Sequence, residues 1–96
     1  MARITFIARM TVRPDKQSEF VALCRELVTK VRAGEPDVLI YDFFKLREEN
    51  RFAVLESFPN EAVEHRHMNS ALLAEFAPRI SACLDGTWVR EFLDDI

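Results

Sequence analysis

The chain has 96 residues, of which 49% are hydrophobic and 30% charged, and its formal net charge is −3. This length predicts one small domain over residues 1–96, burying only roughly 60 to 65% of its unfolded surface. The net negative charge argues against a nucleic-acid partner, which would need a basic stripe. No apolar run approaches the roughly 20 residues needed to cross a bilayer. We therefore expect a globular, cytoplasmic protein without a membrane partner.

The first predicted element is a strand, since apolar residues occupy every second position from Ile4 to Val12. Pro14 and Asp15 end this strand and begin a helix, because proline fits a first helical turn and aspartate can cap free backbone amides. Apolar residues then recur at helical spacing at Phe20, Leu23, Cys24, Leu27 and Val31. This pattern predicts one amphipathic helix that ends at Gly34.

Three further strands are predicted, and each has apolar residues on both faces. Their ranges are Val38 to Lys45, Phe52 to Phe58 and Thr87 to Leu93. The second strand alternates Val38, Ile40 and Phe44 with Leu39, Tyr41 and Phe43. An antiparallel sheet normally leaves one face in water, so a sheet with two apolar faces needs two covers. Helices of the chain can cover one face, and we expect a second copy of the same sheet to cover the other in a homodimer.

Two helices are predicted between the third and fourth strands. Asn60 can cap a short helix that runs through His65, and Asn69 or Ser70 can cap the next one. The second of these helices is expected to bend at Pro78 without breaking, because proline removes one backbone hydrogen bond. The order of elements is βαββαβ, which predicts a ferredoxin-like α+β sandwich with an antiparallel sheet.

A set of short motifs lies between Glu35 and Phe76. These are Glu-Pro-x-x-x-x-Tyr from Glu35, Phe-x-x-x-Glu-x-aromatic from Phe52, a Glu-Ala pair at Glu61 that opens a helix, and a histidine soon after it, His65. Together they resemble the antibiotic biosynthesis monooxygenase family, which includes quinol monooxygenases and an autoinducer-processing isomerase. The resemblance covers nearly the whole chain. It implies a ferredoxin-like fold that pairs through its sheet faces into a dimeric α+β barrel.

The resemblance also implies a function, that of a cofactor-independent monooxygenase acting on a small molecule such as a quinol or a polycyclic phenol. Removing a proton from an electron-rich phenol gives an anion that can pass an electron to oxygen. His65 would be the catalytic base, while Tyr41 and Glu56 would position the substrate or stabilise charge. Two alternatives stay open: an isomerase of the autoinducer-processing type, and a non-catalytic dimeric module that binds a ligand.

Sequence spacing alone predicts different positions for the two histidines. Glu61 lies four residues before His65 on the same helical face and can orient its ring, although an exposed histidine beside an ordinary ion-pair neighbour is an equally simple interpretation. His67 is two residues further on, so its ring points away from that of His65. We expect His67 at the surface near a helix end, and we predict no metal site because the two rings cannot share an ion.

Tyr41 and Glu56 are polar residues on otherwise apolar strands. A buried phenol or carboxyl group must find a hydrogen bond, which makes such residues either satisfied core features or parts of a site. The structural interpretation of Tyr41 is a hydroxyl that reaches the rim of the sheet. For Glu56 it is a pairing with Arg9 or Arg90 from neighbouring strands.

Arg9, Phe58 and Trp88 are the candidate substrate-binding residues. Arg9 could bind an anionic substrate, although a single strand arginine is usually solvated or paired. Phe58 and Trp88 could stack on a substrate, but such aromatic residues are more often core or dimer contacts.

Cofactors are not expected. Cys24 and Cys83 lie inside helical patterns without Cys-x-x-Cys spacing, which predicts buried free thiols.

The haem-degrading relatives of the fold hold haem through a histidine on the last long helix. The helix from Ser70 to Leu84 has no histidine, so no haem site is predicted.

Overall fold

The structure, a computed structural model, describes residues 3–96, in which four strands and three α-helices are found. Their order is β1 (Ile4–Thr11), α1 (Gln17–Gly34), β2 (Ile40–Lys45), β3 (Arg51–Phe58), α2 (Glu61–Met68), α3 (Ala71–Ser81) and β4 (Val89–Leu93). A short 3-10 helix, Pro14–Lys16, precedes α1. The predicted ferredoxin-like α+β fold is confirmed.

The four strands form one sheet in the order β2-β3-β1-β4, and all neighbours are antiparallel. Successive side chains of a strand point to opposite faces, so the register divides the sheet residues into two sets. The helix-side face carries Phe6, Ala8, Met10, Tyr41, Phe43, Phe52, Val54, Glu56, Arg90 and Phe92. The open face carries Thr5, Ile7, Arg9, Ile40, Asp42, Phe44, Ala53, Leu55, Ser57, Val89, Glu91 and Leu93.

The hydrophobic core fills the space between the helix-side face and the helices. Helix α1 buries its predicted stripe of Phe20, Leu23, Cys24, Leu27 and Val31. The ring of Phe20 packs on Phe52 with 4.9 Å between ring centres and on Phe43 with 6.2 Å. Helix α3 adds Phe76, which is fully buried. Both cysteines are buried free thiols, as predicted.

The helix starts follow the predicted capping signals in two of three cases. The side chains of Asn60 and Ser70 each accept the backbone N–H three residues further on, at 3.0 and 3.1 Å. Helix α3 continues through Pro78. No side chain caps the start of α1, where Asp15 and its neighbours are the candidates, and the chain enters α1 through the 3-10 helix Pro14–Lys16 instead.

The strands β2 and β4 begin two residues later than predicted, at Ile40 and Val89. Val38 consequently precedes the strand and packs against the core, not on the side of Ile40 and Phe44. Strand alternation fixes the direction of a side chain only where the chain is extended and paired.

The open face has no helix over it, and apolar side chains occupy much of its area. Phe44 is 50% exposed and Val89 is 64% exposed. The prediction of apolar residues on both faces of the sheet is confirmed. None of the helices in residues 3–96 combines the length and apolarity that crossing a membrane requires.

Candidate functional site

A largely apolar pocket lies between the helix-side face and the helices. Its polar lining residues are Tyr41, Glu56, His67 and Ser81, and the remainder of the lining is apolar. The space open to the centre of a water molecule is about 40 Å³, which is room for roughly two or three waters. Trp88 lines this pocket and is half exposed. The pocket thus collects the polar side chains of the core in a narrow apolar space.

His67 is the buried histidine, and the prediction that it lies at the surface is wrong. Helix α2 directs its side chain against the sheet, where the residue is only 1% exposed. The ring lies between two aromatic side chains, with centre-to-centre distances of 5.0 Å to Tyr41 and 5.4 Å to Phe58. This packing fixes the plane of the imidazole, so its two nitrogens point in defined directions.

The Nδ1 atom of His67 lies 3.0 Å from Oε1 of Glu35, the residue that follows α1. A carboxylate can only accept, so the proton of a neutral ring is assigned to Nδ1. The other nitrogen, Nε2, then carries a lone pair. It faces Oε1 of Glu56 at 3.6 Å, which is too long for a hydrogen bond.

Glu56 is a buried carboxyl group in the centre of the sheet. Burial raises its pKa from 4.5 to about 8; the positive charge of Arg90 opposes this shift, and nearby acidic side chains add to it. The group is therefore mainly protonated at neutral pH and can donate a proton. Within residues 3–96, neither Oε1 of Glu56 nor Nε2 of His67 has a hydrogen-bond partner.

Tyr41 borders the same pair of side chains. It lies beside Glu56 in the register of β2 and β3, and its ring meets that of His67 edge-on. Burial raises the pKa of Tyr41 above its ordinary value, and the neighbouring Glu56 adds to the shift. The phenol accordingly stays neutral and can act as a hydrogen-bonding group.

The predicted pairing partners of Glu56 are engaged elsewhere. Nε of Arg9 donates to Glu91 at 3.0 Å on the open face, so the proposed pair of Arg9 and Glu56 is wrong. The guanidinium carbon of Arg90 lies 4.9 Å from the ring centres of both Phe6 and Phe92. Arg90 acts on Glu56 through its charge.

The structure gathers only some of the predicted site residues. Tyr41, Glu56 and Trp88 line the pocket, and Phe58 packs behind the ring of His67. The side chain of His65 is 68% exposed, and its nearest acidic neighbour is Glu64 at 3.9 Å, not Glu61. Arg9 is on the opposite face of the sheet from the pocket.

Sequence reasoning missed His67 and Glu35. The signal that could have found His67 is Val63, the largest apolar side chain in the first turn of α2, which lies four residues earlier and so on the same helical face. Glu35 belongs to the Glu-Pro motif, but nothing local links it to a histidine 32 positions away in sequence.

An exposed ion pair lies beside this buried pair. Both terminal nitrogens of Arg66 donate to Asp37, at 2.7 and 2.6 Å, and one of them lies 3.8 Å from Glu35. The contacts of Arg66 with Asp37 and of His67 with Glu35 therefore join the same two segments, α2 and the loop after α1. Among residues 3–96, no group of three or more His, Cys, Asp or Glu side chains is arranged to hold a metal ion.

Comparison with known proteins gives consistent matches. The family model described as "Antibiotic biosynthesis monooxygenase" matches residues 3–79. The chain is 36% identical over 87 residues to the "Putative monooxygenase YcnE" of Bacillus subtilis (strain 168), over 85% of this chain and 90% of that protein.

Two solved structures show the same fold over nearly the full chain. The "putative antibiotic biosynthesis monooxygenase" of Caulobacter crescentus CB15 has a TM-score of 0.93 and 27% identity, with 99% of this chain and 91% of that chain covered. A "conserved protein" from Methanosarcina mazei Go1 has a TM-score of 0.88 and 26% identity, with 100% and 95% covered.

Proposed function

The chain belongs to the antibiotic biosynthesis monooxygenase family, and we propose that it oxygenates an electron-rich phenol or quinol whose hydroxyl group binds between His67 and Glu56. The names of the family and of the Bacillus relative support a monooxygenase-like role. The observation that carries the proposal is the pair of buried atoms, His67 Nε2 and Glu56 Oε1, that face each other at 3.6 Å without a partner. An unpaired buried polar group costs about 1–3 kcal/mol, which a bridging hydroxyl would recover.

The proposed first step is removal of the phenol proton by Nε2 of His67. The phenolate can pass electrons to oxygen, whereas the neutral phenol holds them more tightly. A carbon–oxygen bond then forms on the ring, one oxygen atom stays in the product, and the other leaves as water. A quinol and oxygen give a hydroxyquinone and water, so the substrate supplies both electron pairs. The proton held on His67 returns to the departing oxygen.

The apolar lining supports a substrate whose body is apolar beyond its reacting hydroxyl. A space of about 40 Å³ does not admit an aromatic ring until side chains move. Met10 and Met68 line the pocket, and methionine side chains adjust easily because they are unbranched. We expect entry beside Trp88, because that lining residue is half exposed.

The deciding experiment is oxygen uptake by the purified, metal-free protein with a panel of hydroquinones and anthrone-like phenols, corrected for autoxidation. Replacing His67 by Ala should lower turnover by a factor of about 100 or more. His65→Ala is the matched control, since it removes the same group from an exposed position of α2. Equal turnover of the His67 variant and the wild type would contradict the proposal, and loss in the His65 variant alone would restore His65 as the predicted base.

Isomerisation is the second candidate, and one observation favours it. His67 can accept a proton and the largely protonated Glu56 can donate one, so the pair can take a proton from one carbon and return one to another. Product formation without oxygen uptake would establish this reaction. Saturable binding without any product would indicate a non-catalytic module.

We also propose that the open face packs against the open face of a second copy. The support is the apolar area that no helix covers, with Phe44 and Val89 at least half exposed. A small domain gains much of its stability from covering such a surface. Both copies would present the same residues, as a twofold interface requires.

A further inference from the structure

We propose that Glu35 is a positioning residue, which fixes the tautomer of His67 so that the bare Nε2 faces the substrate and which stabilises the imidazolium formed there. This inference rests on the proposed role of His67 as base. Glu35 is outside the pocket lining and contacts the ring from behind. It therefore acts on the substrate only through the histidine.

The position of Glu35 is fixed by its backbone. Its N–H donates to the carbonyl of Val31 at 2.8 Å, and its own carbonyl accepts from Val38 at 3.1 Å. Its side chain is 11% exposed and reaches Nδ1 of His67 at 3.0 Å. Because hydrogen bonds hold the backbone of Glu35 on both sides of its Cα, its carboxylate has little freedom to leave the ring of His67. The contact between the two side chains is therefore preorganised.

The tautomer decides whether His67 can act as a base at all. A neutral imidazole carries one proton, and the nitrogen that carries it can only donate. With the proton on Nε2, the ring would offer no lone pair to a hydroxyl in the pocket. A carboxylate at Nδ1 excludes that form, and after proton transfer it lies 3.0 Å from the new positive charge.

The two carboxyl groups beside His67 have different tasks. Glu56 faces Nε2 from inside the pocket, where burial keeps it largely protonated at neutral pH. Glu35 faces Nδ1 and is bordered by Arg66, whose nearest terminal nitrogen is 3.8 Å away. One group can thus donate to the substrate while the other holds the ring.

The exposed pair of Arg66 and Asp37 provides the matched control. It joins α2 to the loop after α1, as the pair of Glu35 and His67 does, but both its side chains are about half exposed. Surface ion pairs contribute roughly 0–1 kcal/mol to stability. A role of Glu35 in merely holding the loop predicts a loss of stability without a change in the tautomer of His67, whereas a positioning role predicts that the tautomer changes when Glu35 is replaced and not when Asp37 is replaced.

The test combines NMR of protein labelled with nitrogen-15 in histidine with steady-state kinetics. In the resting wild type, the nitrogen shifts should show Nδ1 of His67 protonated and Nε2 bare. In Glu35→Gln the amide can donate to Nδ1, so the form protonated on Nε2 should increase. We expect kcat to fall on the order of 10- to 100-fold with little change in KM. Asp37→Asn should retain the wild-type tautomer and kcat.

The outcomes separate this inference from the proposed reaction. A wild-type ring protonated on Nε2 overturns the inference, and this measurement does not depend on any variant folding. Unchanged tautomer and turnover in Glu35→Gln, or equal losses in Glu35→Gln and Asp37→Asn, overturn it as well. A tautomer shift in a protein that turns over no phenol supports the positioning of His67 and refutes the reaction alone.

Discussion

The polar side chains on the two faces of the sheet differ in their hydrogen bonding. On the open face, Thr5 and Ser57 join their hydroxyls at 2.7 Å, so each satisfies the other. On the helix-side face, Glu56 is buried against His67 of α2, and the facing atoms Oε1 and Nε2 have no hydrogen-bond partner in residues 3–96. Leaving such groups unpaired reduces stability. The contrast supports the proposal that Glu56 and His67 contact a ligand, while Thr5 and Ser57 complete the sheet.

The apolar residues of the two faces differ in burial. Phe20 and its neighbours under the helices are buried, whereas Phe44 and Val89 on the open face are not. The helices of the same chain therefore cover most of one face, and the other is the face that we propose a second chain covers. Four experiments test this division, beginning with the one expected to have the largest effect.

Phe20→Ala should lower the free energy of unfolding by about 3–5 kcal/mol, because the ring is buried against Phe52 and Phe43. Phe44→Ala, on the open face, should cost less than about 1 kcal/mol in dilute protein. Urea denaturation at several protein concentrations measures both. Equal costs in dilute protein would contradict the comparison, while a cost of Phe44→Ala that grows with concentration would show this ring buried in a dimer.

Glu56→Gln should flatten the dependence of stability on pH. The pKa of Glu56 is raised from 4.5 to about 8 in the folded chain, so the native state binds its proton more tightly than the unfolded state does. The resulting stabilisation is complete below pH 4.5 and is lost as the pH rises through about 8. Between pH 4.5 and about 8, the denaturation midpoint of the wild type should fall as the pH rises. The midpoint of the variant should change less over the same range. Parallel pH profiles would show that Glu56 titrates as in the unfolded chain.

Leu55→Glu should separate the proposed dimer, since it places a charge at the centre of the open face beside Asp42. An unpaired charge buried in an interface costs about 3–5 kcal/mol, which weakens association on the order of 100-fold or more. Sedimentation velocity at micromolar concentration measures the change. Ala22→Glu adds the same charge to an exposed position of α1 and should leave the dimer intact. A wild type that sediments only as a monomer would contradict the interface.

Arg9→Ala should have the smallest effect. Its ion pair with Glu91 is solvent-exposed in the single chain, where such a pair contributes roughly 0–1 kcal/mol. Turnover should be unchanged, because Arg9 and the pocket are on opposite faces of the sheet. A higher KM for an anionic phenol, measured beside the wild type, would instead restore the predicted substrate contact of Arg9.

The fold could be predicted because its signals are local. The alternation from Ile4 onward, the helical stripe from Phe20 and the caps at Asn60 and Ser70 each act within a few residues of chain. The largest errors fell where two distant segments meet. The predicted pair of Arg9 and Glu56 failed because the register brings Phe6 opposite Glu56, and pairing across the sheet is not encoded by spacing within one strand.

The sequence by itself determined the family and the order of the elements, and it predicted Tyr41, Glu56 and Trp88 as candidate site residues. Only the tertiary structure decided which histidine enters the pocket. Helix α2 is short and has no continuous apolar stripe, so its rotation about its own axis is set by contacts with residues far away in the chain. Tyr41 and Phe58 receive the ring of His67, and Glu35 binds its other side. Burial of one histidine and exposure of the other follow from that packing, because a rotation of the helix would exchange them.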